Sequence, residues 1–398
     1  MAKYTAPSFD VNLDPAGFVI DLDSLYAALT HLSDRRDPRG VRYSLVTILI
    51  FVLLAKLAGE NYLSGIADWV AYRIEPLSDA LHLEKRRAPH GSTYGRILAF
   101  AIDVMQFEKL VQDFFAQGPH AGQRLVINLD GKQLRGTIPA GQTHGVHLLA
   151  ACLPDEGWVL LQIDVPRGEN EIRAAPRLLK ALDLRRKIVT GDALLAQRDL
   201  STLIVEAGGD YVWTVKKNQS ELYQDITTLF TPERIVAGFS APPKDLRQTT
   251  TVEKAHGRLE VRTLTASADL KTYLDWPYAA QVFRVERTFT RLSDGKRMHD
   301  VSLGITSLSP AEADAPRLLA LVRGHWGIEN QLHYRRDATL REDWSRVRRG
   351  HAPQVLATLN NLGLGLLLRR KVTNVPEARR KYAAHISEAL NLILTSPT

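Results

Sequence analysis

A chain of 398 residues, 45% hydrophobic and 24% charged, has the length for two or three domains and the composition of a folded protein, which excludes a largely disordered one. Its net charge of +7 favours a polyanionic partner yet suits a mildly basic enzyme as well, so charge by itself selects neither. The one cysteine, Cys152, excludes an internal disulfide and a cysteine-based zinc site, and fits a small core residue in a reducing cytoplasm.

The opening residues, MAKYTAPSFDVNLDPAG, lack the apolar stretch of a signal peptide. From about 20 to 118 the pattern is helical. Residues 42–57 carry no breaker, and their most apolar part, 45–55, ends at Lys56. That run is shorter than the roughly 18 residues needed to cross a bilayer, so it predicts a buried helix and no membrane partner. Gly59 closes it, and Ile66, Trp69 and Val70 share one face of a second helix over 65–72. Basic residues mark the joints: Arg35, Arg36, Arg39 and Arg42, then Lys85, Arg86 and Arg87. The segment KRRAPHGSTY at 85–94 runs from basic to turn-like to a Ser/Thr helix start. It fits a helix-turn-helix docking on DNA through Arg86 and Arg87, and equally a helical accessory domain with solvated basic side chains.

From about 123 the texture becomes α/β. Residues 124–128 form an apolar strand leading to Asp130. Strands at 147–153 and 158–165 flank a hairpin turn, PDEG. A helix over 174–182, a strand over 187–190, a helix over 195–208 closed by Gly208, and a strand over 210–215 come next. Three strands, helix, strand, helix, strand is the order of the RNase H-like fold. Residues 219–309 then turn β-rich, with strands at 249–253, 259–265, 281–290 and 300–306, and suggest an insertion. Helix returns over 311–336 and 353–370.

Asp130 and Asp192 each follow an apolar strand and neighbour a glycine, in NLDGK and VTGDA. A carboxylate at a strand end is fixed by the sheet yet exposed at its rim, and Gly131 lets a ligand or backbone come close. Either Asp alone reads best as a capping residue. Two of them on adjacent strands repel unless a cation lies between, and Mg²⁺, which prefers oxygen ligands and shares them with phosphate, is the natural one. A third acid, Glu329, lies on a helix whose His325 and His333 fall at i−4 and i+4, with Arg336 further along that face. That face suits a metal–phosphate site. A solvated polar face ranks second, and a zinc site of His325, Glu329 and His333 third. Lys132, Lys216, Lys217, Arg323 and Arg346 are further candidates for phosphate contact, each with an ordinary surface residue as its alternative. Tyr43, Trp69 and Trp158 sit in apolar patterns and read as core.

The chain resembles the ISAs-type DDE insertion-sequence transposases, relatives of the Tyr-Arg-Glu-Lys transposases. The resemblance is carried by DGKQLRGT (130–137), ENEIRAAPRLLKALDL (169–184), IVTGDALLAQRDL (188–200), GGDYVWTVKKNQ (208–219), HGRLEVRTL (256–264) and the long run from HWGIENQLHYRRDATL onward at 325–367. The N-terminal DPRGVRYSLVTILIFVLLAKLAGENYLSGIADW resembles the family's associated domain. The resemblance covers roughly residues 30–370. It implies an α/β chain in four parts: a helical domain at 1–118 that binds DNA ends, an RNase H-like catalytic domain at 119–218 plus 310–372, a β-rich insertion at 219–309, and a tail at 373–398. It assigns catalysis and metal binding to Asp130, Asp192 and Glu329. Of the Tyr-Arg-Glu-Lys signature aligned on Glu329, only Arg336 is a conservative match; Val322 and His325 stand at the other two places, with Arg323 or His325 candidates for the missing Arg. Mg²⁺, replaceable by Mn²⁺, would serve in-line displacement at phosphorus. The implied partners are double-stranded DNA, namely terminal repeats and target, and a second copy of the chain, in the cytoplasm. A nuclease that does not join strands and a domesticated DNA-binding protein are the alternatives.

Overall fold

The computed structural model describes residues 23–116, 124–154, 157–232, 244–255, 257–328 and 332–395. Six α-helices precede the first strand among the described residues: α1 (Leu25–Leu29), α2 (Leu45–Leu57), α3 (Leu63–Ala71), α4 (Ile74–Ala80), α5 (Gly91–Phe100) and α6 (Val104–Ala116). All 13 residues of α2 are buried, as a helix apolar on every side requires. Ser44 caps it, its Oγ accepting from the Thr47 amide at 3.1 Å. The second expected helix is α3, with Ile66, Trp69 and Val70 buried. The cap of α5 is His90 rather than a Ser or Thr; its Nδ1 accepts from the Ser92 amide at 3.3 Å. No described helix is long and apolar enough to cross a membrane.

The described strands are β1 (Val126–Leu134), β2 (Val146–Leu153), β3 (Trp158–Asp164), β4 (Ile188–Gly191), β5 (Asp210–Val215), β6 (Arg247–Ala255), β7 (Arg258–Ser267), β8 (Gln281–Arg291) and β9 (Arg297–Thr306). They make one mixed sheet in the order β3-β2-β1-β4-β5-β9-β8-β7-β6. β1, β2 and β3 pair antiparallel, whereas β1, β4 and β5 run parallel. Parallel neighbours need a crossover; α7 (Glu171–Lys180) lies between β3 and β4 in the chain, and α8 (Arg198–Glu206) between β4 and β5. The turn expected between β2 and β3 falls partly outside the described residues.

The segment from 219 to 309 opens with a helix, α9 (Ser220–Phe230), that its β pattern does not predict. Its strands do not form a sheet of their own. β9 pairs antiparallel with β5, from Val212↔Thr306 to Val215↔Leu303, and β8, β7 and β6 extend the same sheet outward. Alternation of side chains reveals that a strand exists; which distant strand it pairs with is a long-range choice that alternation does not carry.

Each face of the sheet has its own core. On one, Leu318, Leu319 and Val322 of α10 (Ala315–Ile328) pack with Val126, Ile188, Val212, Leu264 and Phe283. The other face joins a larger core that takes in α6, α7, α8, α9 and α11 (Ala352–Arg369), and also buries α2. The opening helices and the sheet therefore share one apolar interior. The helix expected over 311–336 is not regular throughout: α10 is described to Ile328, and Arg335–Thr339 is a turn of π-helix. Residues 373–398, expected as a tail, contain α12 (Val375–Ala384) and α13 (Ile386–Leu394). Leu390, Ile393 and Leu394 of α13 are buried in the same core, because the apolar face of ISEALNLIL has to be covered.

Candidate active-site cleft

The parallel ladder between β1 and β4 ends at Asn128↔Thr190. β1 continues along β2 as far as Leu134, so Asp130 lies inside a strand rather than at its end, at the point where β4 has left it. Asp192 follows β4 directly. Each Asp is two residues beyond the last rung that joins β1 to β4, and alternation brings both to one side. Both line a cleft of about 1060 Å³ together with Lys216 and Lys217 at the end of β5, Arg262 of β7, Arg287 of β8, and Arg323 and His325 of α10.

Asp130 and Asp192 are held differently. His333 Nδ1 lies 3.4 Å from Asp130 Oδ2. Burial, with Arg336 and Lys132 nearby, pushes this imidazole down to about 3, so it is neutral. Asp192 is exposed, and its Oδ1 accepts from the Leu194 and Leu195 amides at 3.0 and 3.3 Å. It is thus a turn-capping residue and a cleft residue at once. Glu329, the third acid expected from the sequence, lies outside the described residues.

Two glycines next to these acids have packing reasons. A Cβ on Gly131 would lie 1.9 Å from Glu171 Oε1, and the same oxygen is 2.9 Å from His147 Nε2. The space expected to admit a ligand at Gly131 is filled by this carboxylate–imidazole pair. A Cβ on Gly191 would come within 2.6 Å of the buried Trp213 ring.

Arg262 and Arg287 are direct cross-strand partners, an arrangement of like charges that is unfavourable unless neutralised. Glu260 does this: its Oε1 lies 2.8 Å from Arg262 Nη2 and also accepts from Arg287 Nε. Glu253 pairs with Arg262 at 3.1 Å and with Arg323 at 2.5 Å, joining β6, β7 and α10. The Arg287 guanidinium lies over the Trp326 ring, 5.5 Å from its centroid. Arg262, Arg287 and Trp326 are not among the residues singled out by sequence. Alternation along β7 puts Glu260 and Arg262 on one face, which is a usable signal; the pairing with Arg287 requires the register.

Lys216, Lys217 and Arg323 line the cleft, as a phosphate contact requires. The other candidates have different surroundings. Arg336 is only 1% exposed, and its Nε donates to buried Glu342 at 2.8 Å. Arg336 lies within the π-helical turn Arg335–Thr339, where α-helical spacing does not set the face a residue takes. Lys132 is buried against Asp337, its Nζ 2.7 Å from each carboxylate oxygen. His325 lines the cleft, but burial pushes it down to about 4, so it brings no positive charge to a phosphate. Arg86 is exposed but paired with Glu75 and Asp79 of α4. Arg87 and Arg346 are exposed and do not line the cleft. His325 and His333 do not converge as the zinc alternative supposes; one meets Thr190 and the other Asp130. Among the described residues no three metal-binding side chains gather into a cluster. Cys152 is buried, and its thiol is pushed up to about 12, as an inert core residue would be.

A family model described as "Transposase DDE domain" matches residues 120–363, and a second, "DDE_Tnp_1-associated", matches residues 26–115. The "Putative transposase YncI" of Escherichia coli O157:H7 is 28% identical over 352 residues, covering 87% of this chain and 88% of the relative. The "H repeat-associated putative transposase YhhI" of Escherichia coli K12 is 26% identical over 359 residues, 89% of this chain and 92% of the relative. A solved piggyBac transposase synaptic complex with hairpin DNA overlaps 94% of this chain and 77% of its own, at 12% identity and a TM-score of 0.42.

Proposed function

The chain belongs to the transposase DDE-domain family, and from that premise we propose that it is an insertion-sequence transposase that cleaves DNA at element ends and joins them to a target. The observation that carries this reading is that Asp130 and Asp192, each two residues past the last rung between the adjacent parallel strands β1 and β4, line one cleft with lysine and arginine. The strand order β3-β2-β1-β4-β5 supports an RNase H-like catalytic domain at 119–218 plus 310–372. Residues 219–309 are then an insertion grown onto its edge, and residues 1–118 a helical domain that recognises DNA ends.

Two neighbouring carboxylates make a hard oxygen donor set, which fits Mg²⁺ with Mn²⁺ as its substitute. Asp130, Asp192 and Glu329 are the residues that would hold it. A divalent metal held there would supply Lewis-acid chemistry for displacement at phosphorus by water or a 3′-hydroxyl. The chain's own side chains do the rest. Asp130 is steadied by neutral His333, and Asp192 by the Leu194 and Leu195 amides. Lys216 and Lys217 bind the phosphate backbone by charge. Arg262, Arg287 and Arg323 form a wall that positions the duplex, and their glutamate partners keep that wall rigid in free protein. Joining two ends calls for at least two copies of the chain. The reaction takes place in the cytoplasm, where the DNA is.

The test is cleavage and joining of a labelled duplex carrying the terminal repeat of its own element, with Mg²⁺, for wild type beside Asp192→Asn. Joined products from the wild type alone are expected. Cleavage without joining would move the protein to the nuclease reading. Specific binding without cleavage would make it a domesticated DNA-binding protein.

A further inference from the structure

Two residues before each cleft aspartate, the chain carries a buried polar side chain. Asn128 precedes Asp130 and is fully buried; Thr190 precedes Asp192 and is 2% exposed. They are direct partners in the last rung of the parallel ladder. Buried polar groups inside an otherwise apolar sheet are costly unless paired, and these are paired with each other and with α10. Asn128 Nδ2 donates to the Gly324 carbonyl at 2.9 Å, Thr190 Oγ1 donates to Asn128 Oδ1 at 2.7 Å, and Thr190 Oγ1 lies 3.0 Å from His325 Nδ1.

The direction of every bond in this chain is set by its first member. A backbone carbonyl only accepts, so the amide of Asn128 must turn its nitrogen to Gly324 and its oxygen to Thr190. An amide oxygen only accepts, so the Thr190 hydroxyl commits its single hydrogen there. Thr190 Oγ1 can then only accept from the imidazole, which must carry its proton on Nδ1. His325 is therefore an Nδ1–H tautomer whose Nε2 lone pair belongs to a side chain lining the cleft.

We propose that Asn128, Thr190 and His325 form a clasp that positions Asp130 and Asp192 by locking β1, β4 and the end of α10 into one register. They are positioning residues: none is asked to touch a phosphate or bond to metal. Three elements meet at the rim of the cleft, and the clasp is a directional link among all of them, whereas the apolar contacts of α10 with the sheet are non-directional. A slip of α10 along the sheet would break two of the three bonds. The same clasp explains why a histidine stands where a phosphate-gripping arginine was sought: its Nδ1 is needed inward.

This inference rests on Asp130 and Asp192 holding a divalent cation, and the experiment separates the two ideas. Mn²⁺ affinity of the full-length protein is measured by electron paramagnetic resonance for wild type, Asp192→Asn, Thr190→Val, Thr190→Ser and Thr358→Val. Thr358 is a buried hydroxyl bonded to Glu108 and Gln162, away from the cleft, and serves as a control for general loss of a buried hydrogen bond. The expected result is Mn²⁺ binding weakened about tenfold or more by Thr190→Val, restored by Thr190→Ser and unaffected by Thr358→Val. In parallel, ¹⁵N-histidine spectra should show His325 as one Nδ1–H tautomer in wild type and a mixture in Thr190→Val. Should Thr190→Val fail to fold, His325→Leu against His325→Asn, whose amide can replace Nδ1, gives the same comparison. Wild-type Mn²⁺ affinity in Thr190→Val, with affinity lost in Asp192→Asn, would overturn the clasp alone. Unchanged affinity in Asp192→Asn would overturn the metal reading and the clasp with it.

Discussion

Arg336 and Glu342 form an ion pair with 1% and 4% of their side-chain surfaces exposed, Nε to Oε2 at 2.8 Å. The other Glu342 oxygen accepts from Asn360 Nδ2 at 2.9 Å, and Asn360 Oδ1 accepts from Lys56 Nζ at 2.7 Å. One buried carboxylate thereby ties the π-helical turn to α11 and, through Asn360, to α2. The segment beyond the cleft helix is held from beneath by the opening helices.

Glu342→Ala should therefore cost about 3–5 kcal/mol in urea unfolding, because it strands the Arg336 charge in the interior. Burial raises the Glu342 carboxyl, but Arg336 and Asn360 outweigh it and leave the group below its ordinary 4.5. A depressed folded value means the stabilisation is present above 4.5 and is lost as pH falls below it. Acid unfolding should accordingly be less steep in Glu342→Gln than in wild type.

Glu108 should behave in the opposite sense. Burial pushes its carboxyl up to about 7, in spite of hydrogen bonds from Thr358 and Gln162. A raised folded value means the contribution is present below 4.5 and disappears as pH rises through 7. Glu108→Gln should flatten the fall in melting temperature between these values. At pH 8 it should be the more stable protein by on the order of 1–3 kcal/mol, since each pH step between the two values is worth about 1.4 kcal/mol.

Gly131→Ala should destabilise the protein by no more than about 1 kcal/mol, because the added Cβ meets the far end of the Glu171 side chain, which can swing aside. Adding Glu171→Ala to Gly131→Ala should return part of that loss, and thermal unfolding of the two single variants and the double measures the coupling. Additive losses would show that Glu171 is not what the new methyl group meets.

Lys216→Ala and Lys217→Ala should each lower the slope of log binding constant against log salt by about one on duplex DNA. Arg86→Ala should leave the slope unchanged, since Glu75 and Asp79 already neutralise that guanidinium. Fluorescence titrations over a range of salt decide this, and a slope lowered by Arg86→Ala would move the DNA path onto the segment between α4 and α5.

The local devices of this fold are legible in the residues. The apolar run ending at Lys56 is the buried α2, the alternation of β6 to β9 is strand, and Asp130 and Asp192 do come to one cleft. Each of those features depends on neighbours within a few positions, where the 3.6 and 2.0 periods act. Features that depend on distance are not legible in this way. Helical spacing puts Arg336 on the face of an unbroken helix, and a π-turn buries it against Glu342. Gly131 looks open to a ligand, and the chain fills the space with Glu171 from 40 residues away. The four late strands read only as a β-rich insertion, and β9 joins them to the sheet through β5.

By itself the sequence determined most of the strands, the buried α2 and the two aspartates that come to the cleft, because backbone sterics and side-chain alternation are local. Only the tertiary structure decided which charges face the cleft and which are buried in pairs. A charged side chain's environment is set by whichever distant segment packs against it, and for Arg336, Lys132 and His325 that partner removed them from solvent or from charge.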